Sequence, residues 1–203
     1  MTAEVPVASL YAANLEQLVP RLRPWLTAQE HELAQGYPRL RRRLQYLAGR
    51  GLLRFLIQQQ WQIPAAEIAI LRHDNGAPTL RVQGETWQCS ISHSHDMALV
   101  AAHPSTPVGV DVEQIKPRKQ LQRIQRLEFM RDLATNHMDA FYQRWTLAEA
   151  VTKAEQALLM EVLKRSSAPY LNHASHAQHN DYILCCYAQA PKSPLHPLKT
   201  TNT

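Results

Sequence analysis

Residues 39 to about 60 constrain the fold most. Leu40, Leu44, Leu47, Leu52, Phe55 and Leu56 recur there at helical spacing, so this segment is a long helix that must lay one face on a core. At about 100° per residue, Arg39, Arg43, Arg50 and Arg54 fall within roughly 60° of one another on a different face. The helix therefore pairs an apolar stripe with a basic one.

The segments around it alternate between helix and strand signals, which predicts an α+β fold. An apolar run at 5–12 reads as a strand, and Thr27 and Glu30 form the T-x-x-E pattern of a capping box that starts a helix. Residues 68–71 and 79–82 flank Asn75-Gly76 and read as a hairpin, followed by a polar loop at 90–95. Runs at 97–102 and 108–113 read as strands joined by a loop that carries Pro104 and Pro107. The charged stretch 116–136 reads as helical. Thr146 and Glu149 then repeat the T-x-x-E pattern, predicting a helix that starts there and runs to about 163, with Glu149 and Lys153 together off its core stripe. Residues 166–180 read as a loop, 181–188 as a final strand, and the polar, proline-rich end from about 191 as a frayed tail.

The chain has 203 residues, 45% of them hydrophobic, enough to bury a core as one compact domain or two fused halves. No stretch approaches the roughly 20 apolar residues of a membrane span, and the opening residues lack a basic start followed by an apolar signal core, so a cytoplasmic protein without membrane contact is expected. The three cysteines, Cys89, Cys185 and Cys186, form neither an even disulfide framework nor a C-x-x-C pair. A net charge of +5 favours anionic partners. All lysines lie at or beyond Lys116, whereas the first half is basic through arginine, whose rigid fork suits phosphate.

The chemistry-bearing residues are individually ambiguous. On a strand at 108–113, Val108, Val110 and Val112 share one side and Gly109, Asp111 and Glu113 the other. Two carboxylates side by side suit Mg²⁺, which takes one or two carboxylates plus phosphate oxygens, yet the same D-x-E pattern also describes a solvated strand edge. Glu149 could close a capping box or pair with Lys153 at i,i+4. The arginine stripe could be a solvated face. His173, His176 and His179 recur every third residue, but in a Ser/Asn/Ala-rich segment they make a poor metal site.

Their order along the chain narrows the choice. Arg50-Gly-Leu-Leu-Arg54, Asn75-Gly-Ala-Pro78, Ser90-Ile-Ser-His-Ser94, Gly109-Val-Asp-Val-Glu113 and Trp145-Thr-Leu-Ala-Glu-Ala-Val-Thr-Lys153 resemble, in that order, the motifs of the Sfp-type 4′-phosphopantetheinyl transferases. Residues 110–118 look especially like the holo-acyl-carrier-protein synthase branch. The resemblance implies a pseudo-dimer of two similar α+β halves, 1–107 and 108–203, with the ligand in the cleft between them. It implies transfer of 4′-phosphopantetheine from coenzyme A to a serine of an acidic apo-carrier protein, with Mg²⁺ and release of 3′,5′-ADP, by a monomer that does not act on nucleic acid. By the same resemblance Asp111, Glu113 and Glu149 hold the metal, Glu149 and Lys153 are catalytic, and Arg50, Arg54, Gly76, Pro78, Ser92, His93 and Lys153 contact coenzyme A.

The chain departs from the family pattern where Ala77 and Ala148 replace lysines and Gln156 and Ala157 replace glycines. The alternative from another class is a catalytically degenerate member that binds coenzyme A or a carrier protein. A nucleic-acid binder acting through the 39–54 stripe has no accompanying motif.

Overall fold

A computed structural model describes residues 6–72, 78–117, 121–131, 138–190 and 193–198. In chain order its elements are β1 (Ala8–Ala13), α1 (Leu15–Arg21), α2 (Ala28–Gln35), α3 (Leu40–Trp61), β2 (Ile68–Arg72), β3 (Pro78–Val82), β4 (Glu85–Ser94), β5 (Met97–His103) and β6 (Val108–Gln114). Then come α4 (Leu121–Ile124), α5 (Met138–Glu155), α6 (Leu159–Val162), α7 (Ala168–Leu171), β7 (Ala174–His179), β8 (Tyr182–Ala188) and β9 (His196–Pro197). The strands form two sheets, ordered β2-β3-β4-β5-β1-β9 and β6-β8-β7. The fold is mixed α+β, as expected.

Strand alternation explains how the layers stack. Ala98, Val100 and Ala102 of β5 join Leu10 of β1 and Leu52, Leu53 and Leu56 of α3 in one core. The other face of β5, with Met97, Leu99 and Ala101, meets Val108, Val110 and Val112 of β6 and Leu184 and Cys186 of β8. Ile183, Cys185 and Tyr187 of β8 then turn to α5, whose Leu147, Ala150, Val151 and Ala154 complete a third core. The valine alternation read from the sequence thus points into the inter-sheet core.

Two glycines set the distances between layers. A Cβ on Gly49 would lie 2.7 Å from the Ile91 side chain, so α3 rests directly on β4. A Cβ on Gly109 would fall onto the Ala150 carbonyl oxygen and come within 2.9 Å of the Ala154 nitrogen. Backbone cannot yield as a side-chain tip can, so glycine here is what lets α5 press against β6.

Several expectations need correction. Thr27 does cap α2, in a complete capping box with Glu30. Thr146 does not cap a helix: α5 begins at Met138, and the buried Thr146 Oγ1 donates to the Tyr142 carbonyl at 2.9 Å. The helix ends at Glu155, with Gln156 in the left-handed region (φ 52), so a glutamine holds a conformation glycine adopts more cheaply. Residues 90–94 are the end of β4 rather than a loop, and 174–179 are the edge strand β7. The described part of 116–136 holds only the one-turn α4 and a 3₁₀ turn at Glu128–Met130. The segment 193–198 is not frayed, since β9 runs parallel to β1 and the Leu198 amide donates to Tyr11. The Asn75-Gly76 turn lies outside the described residues, although β2 and β3 do pair antiparallel. Among the described residues no helix is long and apolar enough to cross a membrane.

Candidate functional site

The site grows from the seam between β4 and β6. In β6 the amides that do not face β8 would be left without acceptors at a buried edge. Three serines of β4 meet them: Ser90 Oγ accepts from Val110 N at 3.0 Å, Ser92 Oγ from Val112 N at 3.3 Å and Ser94 Oγ from Gln114 N at 3.2 Å. The S-x-S-x-S spacing is therefore a ladder of side chains that joins the two sheets. Its intervening residues, Ile91 and His93, face α3 instead.

At the middle rung the ladder carries charge. Ser92 Oγ donates to Asp111 Oδ1 at 2.8 Å and accepts from Lys153 Nζ at 3.2 Å. Lys153 Nζ also donates to Asp111 Oδ1 at 2.8 Å and to the Val110 carbonyl at 2.9 Å. All three ammonium protons thus have acceptors, and Gly109 makes the geometry possible by admitting α5. Asp111 is only 5% exposed, and its Oδ2 is buried without a hydrogen-bond partner. A bare buried carboxylate oxygen is costly unless a ligand serves it.

Glu113, two residues along the same side of β6, is half-buried and accepts a long hydrogen bond of 3.4 Å from Ser94 Oγ. Glu149 is half-buried on α5, one turn before Lys153. Among the described residues, however, no three His, Cys, Asp or Glu side chains converge as metal ligands. The expected cage of Asp111, Glu113 and Glu149 is not preassembled. Asp111 Oδ2 with Glu113 does fit the sparser Mg²⁺ pattern of one or two carboxylates completed by phosphate oxygens.

A second group flanks the seam. His93 Nε2 accepts from the guanidinium of Arg42, which is solvent-exposed and also lies 5.5 Å from the Tyr37 ring centre. Burial of the ring, and then Arg42 beside it, hold His93 below the usual histidine range. Lys153 pushes the same way and Asp111 opposes it. The ring is neutral, which suits an acceptor facing a guanidinium.

The sequence singled out Arg50 and Arg54 for this place, but the structure buries both. Arg54 donates to both Glu30 oxygens at 3.0 and 2.8 Å, to the Trp25 carbonyl at 3.1 Å and to the Ile68 carbonyl at 3.0 Å. Arg50 pairs with Glu30 at 3.6 Å and stacks over the Tyr46 ring at 3.8 Å. Their work is to hold α2 and α3 together. Arg42 went unremarked, although the spacing 42, 46, 49 places it on the face where Gly49 meets β4. Ser90 and Ser94 were also missed as functional supports. Pro78 opens β3, and Gly76 lies outside the described residues.

Ala148 is fully buried in the α5 core. A lysine there meets apolar neighbours, so this departure is not a charge simply trimmed from a ligand-facing surface. Ala77 lies outside the described residues.

Comparison with known proteins agrees with the ordered motifs. Residues 17–105 match the family described as 4′-phosphopantetheinyl transferase, N-terminal. A phosphopantetheinyl transferase of Thraustochytrium sp. is 29% identical over 154 residues, covering 66% of this chain and 54% of that protein. The 4′-phosphopantetheinyl transferase psf-1 of Bacillus pumilus is 27% identical over 146 residues, covering 69% and 62%. An L-aminoadipate-semialdehyde dehydrogenase-phosphopantetheinyl transferase of Mus musculus is 28% identical over 127 residues, covering 53% and 41%. In these three alignments the chain spans between 41% and 62% of its relatives' length. The N-terminal match and the relatives point one way, and both support a place in the 4′-phosphopantetheinyl transferase superfamily.

Proposed function

We propose that this chain transfers 4′-phosphopantetheine from coenzyme A to a serine hydroxyl of an acidic apo-carrier protein and releases 3′,5′-ADP. The observation that carries the reading is the bare, buried Oδ2 of Asp111 beside the clamped ammonium of Lys153. A half-satisfied carboxylate next to fixed cations is what a diphosphate and its counter-ion require. In this reading the two halves, 1–107 and 108–203, form the family's pseudo-dimer, and the seam of β4, β6 and α5 floors the ligand cleft.

The reaction breaks the diphosphate of coenzyme A while the carrier serine forms a new phosphodiester. Asp111 and Glu113, joined by Glu149 of α5, would hold Mg²⁺, whose positive charge would offset that of the diphosphate. Lys153 stays anchored to Asp111 and Val110 and stabilises charge that grows on the departing 3′,5′-ADP. Arg42, with neutral His93 fixing its guanidinium, takes a coenzyme A phosphate in place of the buried Arg50 and Arg54. Glu149, half-buried one turn from Lys153, accepts the serine proton.

The test is incubation with a panel of apo-carrier proteins, coenzyme A and Mg²⁺, followed by intact mass. A gain of one phosphopantetheine on a carrier serine, lost in Lys153→Met and reduced about tenfold or more in Arg42→Ala, is the expected result. Coenzyme A binding without any carrier gain across the panel would favour the degenerate reading.

A further inference from the structure

We propose that Lys153 is a resident counter-cation of Asp111 that makes divalent-cation binding conditional on the phosphate ligand; the proposal rests on the metal reading of Asp111 given above. Three observations carry it. First, the two oxygens of Asp111 differ: Oδ1 receives both Ser92 and Lys153 at 2.8 Å, whereas Oδ2 is buried and without a partner. Only Oδ2 lacks a partner that a cation would have to displace. Second, Lys153 is anchored independently of Asp111, through the Val110 carbonyl at 2.9 Å and Ser92 Oγ at 3.2 Å. Strand backbone and the serine ladder fix both anchors, so an arriving metal does not readily push the ammonium aside. Third, the Lys153 side chain is 32% exposed and that of Asp111 is 8% exposed, so the pair lies at the edge of the protein interior, where charges interact more strongly than in bulk water.

The consequence is electrostatic. A metal ion that reaches Oδ2 alone meets a carboxylate already neutralised by an ammonium, and only Glu113 adjoins it on the strand face. A ligand carrying a diphosphate brings the missing negative charge and is itself attracted to Lys153 and Arg42. Metal and phosphate ligand therefore enter as mutually dependent partners, and the vacant protein does not sequester Mg²⁺. By linkage, each tightens the other by the same factor.

Mn²⁺ titration followed by electron paramagnetic resonance, with no turnover involved, tests this on the whole chain. In the wild-type protein Mn²⁺ alone binds weakly, and coenzyme A tightens it by at least about tenfold. Lys153→Met, neutral and similar in volume, tightens Mn²⁺ alone by at least about tenfold, because a unit positive charge has left the immediate neighbourhood of the site. Lys153→Arg keeps the charge and shows no such gain. Adding Asp111→Asn to Lys153→Met removes the gain. Equal Mn²⁺ affinity in the wild type and Lys153→Met, with Asp111→Asn weakening both, overturns the proposal and leaves Asp111 as a metal ligand. Mn²⁺ binding that ignores Asp111→Asn in every background sinks the metal reading itself. Because the wild-type comparison with and without coenzyme A needs no variant, tight Mn²⁺ binding to the ligand-free protein refutes the proposal even if Lys153→Met misfolds.

Discussion

Two ion pairs in this molecule show opposite kinds of bookkeeping. Around Glu30, both carboxylate oxygens accept from Arg54, Oε2 also accepts from the Thr27 amide, and the Arg54 guanidinium serves two backbone carbonyls as well. Around Asp111, one oxygen is doubly served and the other has nothing. The first network closes on itself and locks α2 to α3; the second stops one partner short. A buried carboxylate with both oxygens served is structure, whereas one left incomplete beside a backbone-fixed cation marks where a ligand belongs. Arg50 shows that the division is not absolute. Its Nε lacks a hydrogen-bond partner, and the Tyr46 ring and Glu30 serve the cation instead.

Breaking each carboxylate in turn is the sharpest test. Glu30→Ala strands two buried guanidiniums, and we expect a loss of about 3–5 kcal/mol in urea denaturation. Asp111→Asn should change stability by no more than about 1 kcal/mol, since Lys153 is exposed enough to recover water and the new amide can keep the Oδ1 contacts. Metal-dependent coenzyme A binding, read by calorimetry, should behave in reverse, vanishing in Asp111→Asn and surviving in whatever Glu30→Ala protein remains folded. Similar stability losses in the two variants would erase the distinction.

Gly109→Ala probes how the incomplete pair is held. The new methyl falls onto the α5 backbone at Ala150, so helix and strand must part. The expected loss is about 1–3 kcal/mol, with Lys153 drawn off Asp111 at the same time. Gly49→Ala, by contrast, meets only the Ile91 side chain, which can rotate, and should cost less. If both glycines tolerate alanine equally well, close approach of α5 is not what positions Lys153.

How much of this was legible beforehand depended on whether the signal was local. The valine alternation at 108, 110 and 112 announced both the strand and the side on which Asp111 lies, because a two-residue period has one structural meaning. The serines at 90, 92 and 94 keep the same period, yet serine facing a neighbouring backbone looks, in sequence, like serine facing water. From sequence alone the segment consequently reads as a loop. Edge strand β7, with His176 and Gln178 exposed, reads as a loop in the sequence for a related reason. Thr146 and Glu149 fit a capping pattern, but nothing in four residues tells a helix start from a helix interior where threonine bonds back to Tyr142. The arginine stripe gave the correct angle on α3 and could not reveal Glu30, which a separate helix brings opposite Arg50 and Arg54.

The smallest expected effect concerns His93, which lies between the two networks in character: partly buried and polar, with an exposed arginine as partner. Burial first, and Arg42 second, lower its affinity for a proton in the folded state. The unfolded chain, with an ordinary histidine value near 6.5, therefore binds the proton more readily than the native one. Stability contributed by the neutral ring is fully present above that value and is lost as pH falls through it toward the lower folded value. Urea midpoints measured between about pH 8 and pH 5 should fall on acidification, and His93→Gln should flatten part of that slope. Arg42→Ala should flatten a smaller part, because it removes only the second cause and leaves burial in place. A slope unchanged by both substitutions would mean that the imidazole gains a proton as easily in the fold as outside it, and Arg42 would then need another explanation for its place beside His93.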